Sequence, residues 1–563
     1  MDNSSLWIVL QRMRLPIVVI SLTYVIAMIG LLLIPGVDDN GNVYHLTIFD
    51  AFYFTTYTAT TIGFGELPYA LTHAQKIWVS ISIYLTVLGW FYGIGTLVSL
   101  LQDKLFLSEI AIARFKKAVK NIKEDFVIVL GYSETTSEII KKLIDANLRV
   151  VVIEKDQARA DYLMLEGFIP IVPILVADVH QARALEYAGI KKRNCKYIVS
   201  LFKDNILNLR VTLASKILNQ NIKVAVKATT VNERENLLDA GANIIINPFA
   251  IISYQIHMGL SSPSLFKLEN WIYGIDTLES KTFKLPNQDI IICGFGRLGK
   301  NLNKVFTDHG IKPTIIEIDQ DIYENAKLDG YNNIIYGNAE EKYILHKANI
   351  EKAQMLIIAT QNDTINLSII STVKKINKNI HIIVRENELS DFSIFQNAKI
   401  NKIFIPSRIL IYKTTNAIVS PLSDKLIRFF TNKDESWGQD ILIKLIKQIG
   451  GSPLLFDLNI TKDEAIQIYN YLKEDRTHKL TLDILFRSRK DRNQINNIIP
   501  LLIQRDKEDI LMPNDKEELK IDDKILFALD HNAKDDLEYI VNNIYEFNYV
   551  MHDKERSKFF KSF

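Results

Sequence analysis

The stretch Thr60-Thr-Ile-Gly-Phe-Gly-Glu66 lies between two long hydrophobic segments. Its glycines, Gly63 and Gly65, are separated by a single residue. Because glycine adopts backbone angles that other residues avoid, successive carbonyl oxygens in such a stretch can all point one way and replace the hydration shell of an ion. The hydroxyl of Thr61 supplies one more oxygen. The stretch therefore predicts a cation site built from backbone.

The flanking segments are long enough to cross a bilayer. Residues 15–34 and residues 77–102 form two runs without a formal charge, and a transmembrane helix needs about 20 apolar residues. Residues 48–60 are apolar and threonine-rich, which is compatible with a helix that re-enters the membrane and delivers the glycine stretch. We predict a pore domain over residues 1–103, with a first span at 15–35, a pore helix and filter at 48–66 and an inner helix at 74–103.

Basic residues predict the orientation of these spans. Arg12 and Arg14 precede the first run, only Lys76 lies between the runs, and six follow the second: Lys104, Arg114, Lys116, Lys117, Lys120 and Lys123. Positive charge accumulates on the cytoplasmic side of membrane proteins. We therefore expect a multi-pass protein of the cell (inner) membrane, surrounded by the lipid bilayer, with both termini in the cytoplasm.

The glycine stretch resembles the potassium-channel selectivity filter, usually written TVGYG. Ile62 stands for Val, Phe64 for Tyr, and Glu66 where Asp is commoner. The resemblance implies that Thr61, Ile62, Gly63, Phe64 and Gly65 bind K+ through their carbonyls, and that four copies surround one axis. Two alternatives stay open. The segment could be a membrane anchor with an ordinary turn, or a cation channel of relaxed selectivity, since phenylalanine lacks the tyrosine hydroxyl.

The inner helix carries a four-residue stripe of candidate gate residues: Gly89, Gly93, Leu97 and Leu101. Positions four apart share one helix face. Glycines near mid-span allow bending, and a ring of leucines can close a dewetted constriction. The alternative is that the small residues only let helices pack closely.

The rest of the chain has the composition of cytoplasmic domains. Among all 563 residues, 67 basic and 65 acidic side chains give a net charge of +2, which indicates no nucleic-acid partner. Cys195 and Cys293 are the two cysteines, so a disulfide scaffold is not expected. Residues 104–123 are predicted to be a linker.

An internal repeat runs through this cytoplasmic part. Phe126-Val-Ile-Val-Leu-Gly131 corresponds to Ile290-Ile-Ile-Cys-Gly294, and the segment that ends in Glu154 corresponds to the one that ends in Glu317. Strands that alternate with helices of 10 to 15 residues predict a parallel sheet. We expect cytoplasmic α/β structure: two tandem Rossmann-like domains at 124–280 and 287–450, the second followed by a small α+β lobe at 451–563.

A filter, two spans and tandem Rossmann-like repeats together resemble the prokaryotic potassium channels gated by RCK domains, the regulators of potassium conductance. The resemblance covers nearly the whole chain. It implies a homotetramer whose eight RCK domains form a gating ring that opens or closes the inner-helix gate when a ligand binds, and it implies no enzymatic activity.

The second repeat carries Gly294-Phe-Gly-Arg-Leu-Gly299 directly after a strand. In a dinucleotide turn, Gly294 makes the bend, Gly296 lets the backbone approach a pyrophosphate, and Gly299 lets the helix pack on the strand. Arg297 and Leu298 belong to the same turn. Glu317 follows at the spacing of a ribose acceptor, and a carboxylate there favours NAD or ADP over NADP. The alternative is a Rossmann turn with an empty pocket.

By resemblance, Asn338 and Ala339 would lie near the adenine and Thr360 near the other end of the ligand. The first repeat departs from the pattern. Ser133 obstructs close backbone approach, and Glu134 places negative charge at the helix N-terminus. We expect that site to be degenerate. Glu154 is retained at the position of Glu317, and a cap or a pair at the surface is the alternative role for it.

Two other classes of protein explain less of the chain. A membrane-tethered NAD-dependent oxidoreductase would explain the glycine turn but not the filter between two spans, and a transporter regulatory subunit would have no spans of its own. Calcium or another cation remains open as a ligand, although no EF-hand spacing occurs.

Overall fold

The computed structural model describes residues 3–280, 285–387, 392–398, 400–474, 479–506 and 508–552. The chain divides into two compact units. The first comprises residues 1–123 with residues 187–189, and the second comprises residues 124–186 and 190–563.

The first unit consists mainly of helices. In chain order its elements are α1 (Asn3–Leu33), β1 (Gly36–Val37), β2 (Val43–Tyr44), α2 (Ile48–Ala59), α3 (His73–Gln102) and α4 (Lys104–Asn121). Reciprocal capping boxes start α2 and α3, at Thr47 with Asp50 and at Thr72 with Gln75. By length and composition, Met13–Leu33 and His73–Gln102 could each span a membrane. The segment predicted as a linker is helical, since α4 begins directly after α3.

Glycines bring α1 and α3 into close contact. A Cβ added at Gly89 would lie 2.8 Å from Thr23 Oγ1, and one added at Gly93 would lie 2.6 Å from Ile20 Cδ1. Both glycines are buried and face α1. For these two positions the pore-lining expectation is not met and the packing alternative is favoured. The glycines do not interrupt α3, which is continuous through them.

The first repeat forms a six-stranded parallel sheet in the order β5-β4-β3-β6-β7-β8. Its elements are β3 (Phe126–Leu130), α5 (Glu134–Asp145), β4 (Arg149–Glu154), α6 (Gln157–Leu165), β5 (Ile174–Val176), α7 (Ala182–Tyr187), β6 (Cys195–Ser200), α8 (Asn205–Leu218), β7 (Lys223–Lys227), α9 (Val231–Asp239) and β8 (Ile244–Ile246). The central strand β3 is buried throughout, as expected of a parallel sheet covered on both faces.

The second repeat reproduces this topology with the strand order β11-β10-β9-β12-β13-β14. Its elements are β9 (Ile290–Cys293), α12 (Arg297–Asp308), β10 (Thr314–Glu317), α13 (Gln320–Leu328), β11 (Ile334–Tyr336), α14 (Lys342–Lys347), β12 (Met355–Ile358), α15 (Asp363–Ile376), β13 (His381–Arg385), α16 (Phe392–Asn397) and β14 (Lys402–Phe404). This strand order is that of a Rossmann fold. The predicted fold class, with tandem Rossmann-like repeats, is confirmed.

A pair of helices follows each sheet and crosses to the other repeat. The pairs are α10 (Pro248–Ser261) with α11 (Pro263–Ile272), and α17 (Pro406–Val419) with α18 (Pro421–Phe430). Ile252 and Ile256 of α10 share a core with Leu302 of α12, and Ile411 of α17 shares a core with Ile139 of α5. Each repeat is therefore completed by a helix from the other.

The C-terminal lobe contains an antiparallel sheet in the order β15-β18-β16-β17. Its elements are α19 (Glu435–Gln448), β15 (Leu454–Asn459), α20 (Ile466–Lys473), a 3-10 turn (Leu482–Phe486), β16 (Ile498–Arg505), β17 (Glu508–Leu511), β18 (Lys524–Leu529), α21 (His531–Asn542) and α22 (Ile544–His552). The predicted α+β lobe is confirmed.

Candidate functional site

The filter stretch has a backbone of alternating handedness. Thr61, Gly63 and Gly65 have φ angles of 63°, 67° and 73°, whereas the intervening Ile62 and Phe64 have negative φ. This alternation turns successive peptide groups to one side, as a row of coordinating carbonyls requires. No atom lies within 4 Å of a Cβ added at Gly63 or Gly65. The glycines are therefore needed for their backbone angles and not for space.

Hydrogen bonds from the end of α2 hold this stretch in place. The carbonyl of Tyr57 accepts from the amides of Ile62 at 2.9 Å and Gly63 at 3.1 Å. The Tyr57 hydroxyl donates to the Glu66 carbonyl at 3.3 Å, and the Tyr53 hydroxyl donates to Glu66 Oε2 at 3.1 Å. The glutamate that replaces the commoner aspartate thus bonds to the pore helix.

Phe64 contacts Tyr57 edge-on, with ring centroids 6.2 Å apart. Residues 61–66 are all exposed in the single chain. Leu97 and Leu101 of α3 are also exposed, with 44% and 57% of their surface accessible. One chain does not enclose an ion pathway, so the filter and the gate positions need further copies of the chain to become a pore.

The glycine turn of the second repeat has the features of a dinucleotide turn. Gly294 has a φ of 97°, which other residues rarely adopt. A Cβ on Gly299 would lie 2.0 Å from the Gly294 carbonyl oxygen, so α12 packs directly on the turn. Gly296 is the N-cap of α12, has no side-chain capping bond and faces open space. The amides that begin α12 are therefore free to bind an anion.

The first repeat closes the same position with its own side chains. Ser133 caps α5, and its hydroxyl accepts from the Thr136 amide at 3.3 Å. In return the Thr136 hydroxyl accepts from the Ser133 amide at 2.8 Å. Glu134 lies in the first turn. The N-terminus of α5 is therefore capped by a side chain and lies beside a negative charge, whereas the N-terminus of α12 in the second repeat is uncapped.

Glu317 is buried at the end of β10 and accepts from backbone amides of the glycine turn and of the residues that follow β10. It accepts from Phe295 N at 2.5 Å and from Ile318 N and Asp319 N at 2.8 Å each. Glu154 is equivalent: it is buried, and accepts from Tyr132 N at 2.5 Å and Asp156 N at 2.8 Å. Glu154 is therefore an interior acceptor of backbone amides and not a partner in a surface ion pair. In both repeats this glutamate fixes the glycine turn.

The remaining predicted residues lie at the same edge of the sheet. Asn338 and Ala339 follow β11, and Thr360 follows β12, where its hydroxyl donates to Asn366 Oδ1 at 2.5 Å. Leu298 is buried in the first turn of α12. The structure therefore brings these residues to the carboxyl edge of one parallel sheet, the edge at which ligands of open α/β sheets bind.

Basic residues from both repeats also meet at this edge: Arg297, which the glycine turn predicted, and Lys227 and Arg385, which no sequence motif indicated. Arg297 donates to Thr229 Oγ1 at 2.9 Å, and the guanidinium groups of Arg297 and Arg385 lie 5.1 and 5.0 Å from the ring centre of Phe249. Lys227 and Arg385 are each the last residue of the fifth strand of their repeat. Because the two residues end corresponding strands of the internal repeat, a comparison of the repeats identifies Lys227 and Arg385 from the sequence.

These cations repel one another. Burial is the largest of the causes that lower the pKa of Lys227. The positive charges of Arg297, Lys203 and Arg385 lower this pKa further, whereas the negative charge of Glu233 raises it. Burial and Arg297 lower the pKa of Arg385 to about 10, against an opposing effect of Asp363. A mutually repelling group of cations beside uncapped helix amides favours binding of an anion such as a phosphate.

Within the part of the chain that the structure describes, no group of three or more His, Cys, Asp or Glu side chains could hold a metal ion. Both cysteines are buried, and burial raises the pKa of each thiol to about 12. Calcium binding stays a prediction.

Known protein families match most of these elements. Residues 15–103 match the ion channel family, and residues 127–248 and 290–406 each match the TrkA-N domain family. An uncharacterised protein of Methanothermus fervidus is 29% identical over 248 residues, which are 44% of this chain and 37% of that protein. Potassium channel protein 1 of Methanocaldococcus jannaschii is 23% identical over 303 residues, which are 54% of this chain and 83% of that protein.

Two structures of the GsuK channel match nearly the whole chain. One is 14% identical with a TM-score of 0.48, and covers 95% of this chain and 99% of its own. A GsuK channel bound to NAD is also 14% identical, with a TM-score of 0.46, and covers 96% of this chain and 100% of its own.

A membrane-spanning ion-channel domain followed by two TrkA-N domains defines a membrane channel with regulatory domains, not an enzyme. Over the matched residues the chain belongs to the ion channel family and to the TrkA-N domain family, and it is similar to a potassium channel protein, so the predicted resemblance to potassium channels with tandem RCK domains is confirmed.

Proposed function

We propose that four copies of this chain form a potassium-selective channel whose gate responds to an NAD- or ADP-type nucleotide bound in the second RCK domain. The observation that carries conduction is the alternating φ of Thr61, Gly63 and Gly65 between two apolar helices. Both termini are proposed to be cytoplasmic, and the eight RCK domains of a tetramer are proposed to form the gating ring.

The observation that carries nucleotide sensing is the difference between the two repeats. Gly296 leaves the N-terminus of α12 uncapped and open, whereas Ser133 caps α5. Arg297, Arg385 and Lys227 add positive charge beside the open turn. A ligand with at least one phosphate satisfies both the amides and the cations. A role of calcium as a second effector stays a prediction.

A ligand biases the gate only as far as its affinities for the open and closed rings differ. Couplings of about 1 to 3 kcal/mol are typical. Titrating NAD, ADP and NADP into the full-length channel by calorimetry tests the binding half of the proposal. We expect NAD and ADP to bind more tightly than NADP, because Glu317 repels a 2′-phosphate.

A cation channel of relaxed selectivity remains the second candidate. Phe64 contacts Tyr57 through its ring and has no hydroxyl to bond behind the filter. Reversal potentials in mixed potassium and sodium separate the two candidates: a potential that follows the potassium gradient supports selectivity, and one near zero supports relaxed selectivity.

Leu97→Asp channels are expected to open more often than the parent. In a closed tetramer, four carboxylates would repel one another and hydrate a constriction that leucines keep dry. Single-channel open probability is the measurement, with Leu101→Asp as the neighbouring variant. If only Leu101→Asp opens the channel, the constriction lies one turn lower. If neither variant changes the open probability, the leucines do not form the gate.

Glu317→Ala and Glu154→Ala form a matched pair. Each removes a buried carboxylate that accepts backbone amides, and an unsatisfied buried amide costs about 1 to 3 kcal/mol. Both variants should therefore lower the melting temperature. Only Glu317→Ala should also weaken nucleotide binding by calorimetry. Equal affinity loss in both variants would show that Glu317 acts only through the fold.

A further inference from the structure

A cavity of about 600 Å³ lies away from the glycine turn, where three parts of the second unit meet. Lys223 and Ile244 begin β7 and β8 of the first repeat. Val419 and Pro421 lie at the elbow between α17 and α18. Asp457 and Lys524 belong to β15 and β18 of the C-terminal lobe. Its volume is that of a small-molecule site, which typically measures about 300 to 1,000 Å³.

Asp457, a carboxylate that lines this cavity, has a hydrogen-bond partner for only one of its two oxygens among the described residues. Asp457 Oδ2 accepts from the Ser420 hydroxyl at 3.0 Å. Its Oδ1 is buried and has no hydrogen-bond partner among the described residues. Burial and the nearby Glu464 raise the pKa of Asp457 to about 6, while the Ser420 bond opposes the shift. A buried carboxylate oxygen without a donor is costly, and a ligand donor would relieve that cost.

The other charges of the cavity fall into two groups. Arg428 pairs with Asp424 at 2.9 Å, and Lys425 pairs with Asp509 at 2.6 Å. By contrast, Lys223 and Lys524 form no ion pair within the described part of the chain, although Lys223 donates to the Tyr197 hydroxyl at 3.4 Å. The cavity therefore offers two carboxylates, Asp457 and Glu464, and two lysines that form no ion pair among the described residues; Glu464 already accepts from Asn459, which leaves Asp457 Oδ1 as the oxygen without a donor.

We propose that this cavity binds a zwitterionic small molecule of the α-amino-acid class, with its ammonium group on Asp457 and its carboxylate on Lys524 and Lys223. A ligand that carries both charges gives Asp457 a donor and the two exposed lysines an acceptor, whereas a simple cation or a simple anion contacts only one of these groups. The side chain of the ligand would lie on the apolar elbow formed by Val419, Pro421 and Leu422.

Such a ligand would contact both the first repeat and the C-terminal lobe, next to the elbow between α17 and α18. Ser420 joins α17 to α18, and α17 packs on α5 of the first repeat. The site is separate from the nucleotide turn, so it does not depend on the nucleotide proposal.

Saturation-transfer NMR on the full-length channel in nanodiscs, with a mixture of the twenty common L-amino acids as the probe, tests the proposal. At least one amino acid should receive saturation. Asp457→Asn should weaken its binding about tenfold, since a charge-assisted bond is lost. Asp424→Asn is the matched control, because Asp424 lines the same cavity but already has Arg428 as its partner. Lys524→Gln should weaken binding as well.

Two chemical controls complete the test. The N-acetyl derivative lacks the ammonium group and should not bind, and the decarboxylated amine should bind more weakly than the amino acid. Because the pKa of Asp457 is about 6, affinity for an amino acid with a non-titrating side chain should fall between about pH 7.5 and about pH 5. The proposal is overturned by saturation of no amino acid, by equal affinity of Asp457→Asn and Asp424→Asn, or by an amine that binds as tightly as its amino acid. Nucleotide affinity measured in the same samples reports separately on the glycine turn.

Discussion

Gly63→Ala channels are expected to assemble and to pass no potassium current. Gly63 has a φ of 67°, and an L-residue with a side chain pays roughly 1 to 2 kcal/mol for the left-handed conformation. In a tetramer the strain applies at four points of one ion pathway. A flip of that peptide in each subunit would remove the four carbonyls of one coordinating ring, so the expected effect is loss of conduction.

Gly41→Ala is the matched control for this experiment. Gly41 has a φ of 83° and, like Gly63, nothing within 4 Å of an added Cβ, but it lies outside the filter stretch. The strain is thus of the same kind in both variants. Gly41→Ala should conduct as the parent does. Sodium-excluding current of normal size through Gly63→Ala would show that the filter is assigned to the wrong residues.

Gly296→Val is expected to abolish nucleotide binding while leaving the fold intact. A Cβ at this position meets no protein atom, and the φ of −71° is ordinary for any residue. The valine side chain would instead occupy the space above the N-terminus of α12, where a pyrophosphate approaches the backbone. Calorimetry with NAD and ADP on the full-length channel measures the loss.

Ser133→Val tests the same position in the first repeat. It removes the cap of α5, which costs about 1 kcal/mol of stability. Nucleotide affinity should nevertheless stay close to that of the parent. Parental affinity in Gly296→Val together with lost affinity in Ser133→Val would move the site to the first repeat.

The local pattern of the sequence predicted most of the architecture. Apolar strands that end in a glycine, spaced near 160 residues apart, predicted both Rossmann-like sheets, and the uncharged runs predicted both long helices. The glycine turn was also predictable, because Gly294 and Gly299 serve close approaches within a few residues of each other in the chain. These features depend on residues that are close together in the chain, so the local sequence pattern is sufficient to predict them.

Contacts between distant segments could not be predicted in the same way. The periodicity of α10 and α17 gives an apolar face but not its partner, and each helix packs on the opposite repeat. The stripe through Gly89 and Gly93 likewise gives a face without saying whether α1 or a pore lies against it. The cations Lys227, Arg297 and Arg385 meet only because the two repeats are joined. Such features depend on the tertiary arrangement.

We propose that nucleotide binding in the second unit controls a potassium-selective pore in the first unit. Single-channel recording of the full-length chain in planar bilayers, with potassium and sodium in opposing gradients and NAD or ADP perfused on the cytoplasmic side, tests it directly. We predict a reversal potential set by potassium and an open probability that changes reversibly with nucleotide in the parent but not in Gly296→Val. A current that does not distinguish potassium from sodium, or an open probability that ignores nucleotide in the parent, would contradict the claim.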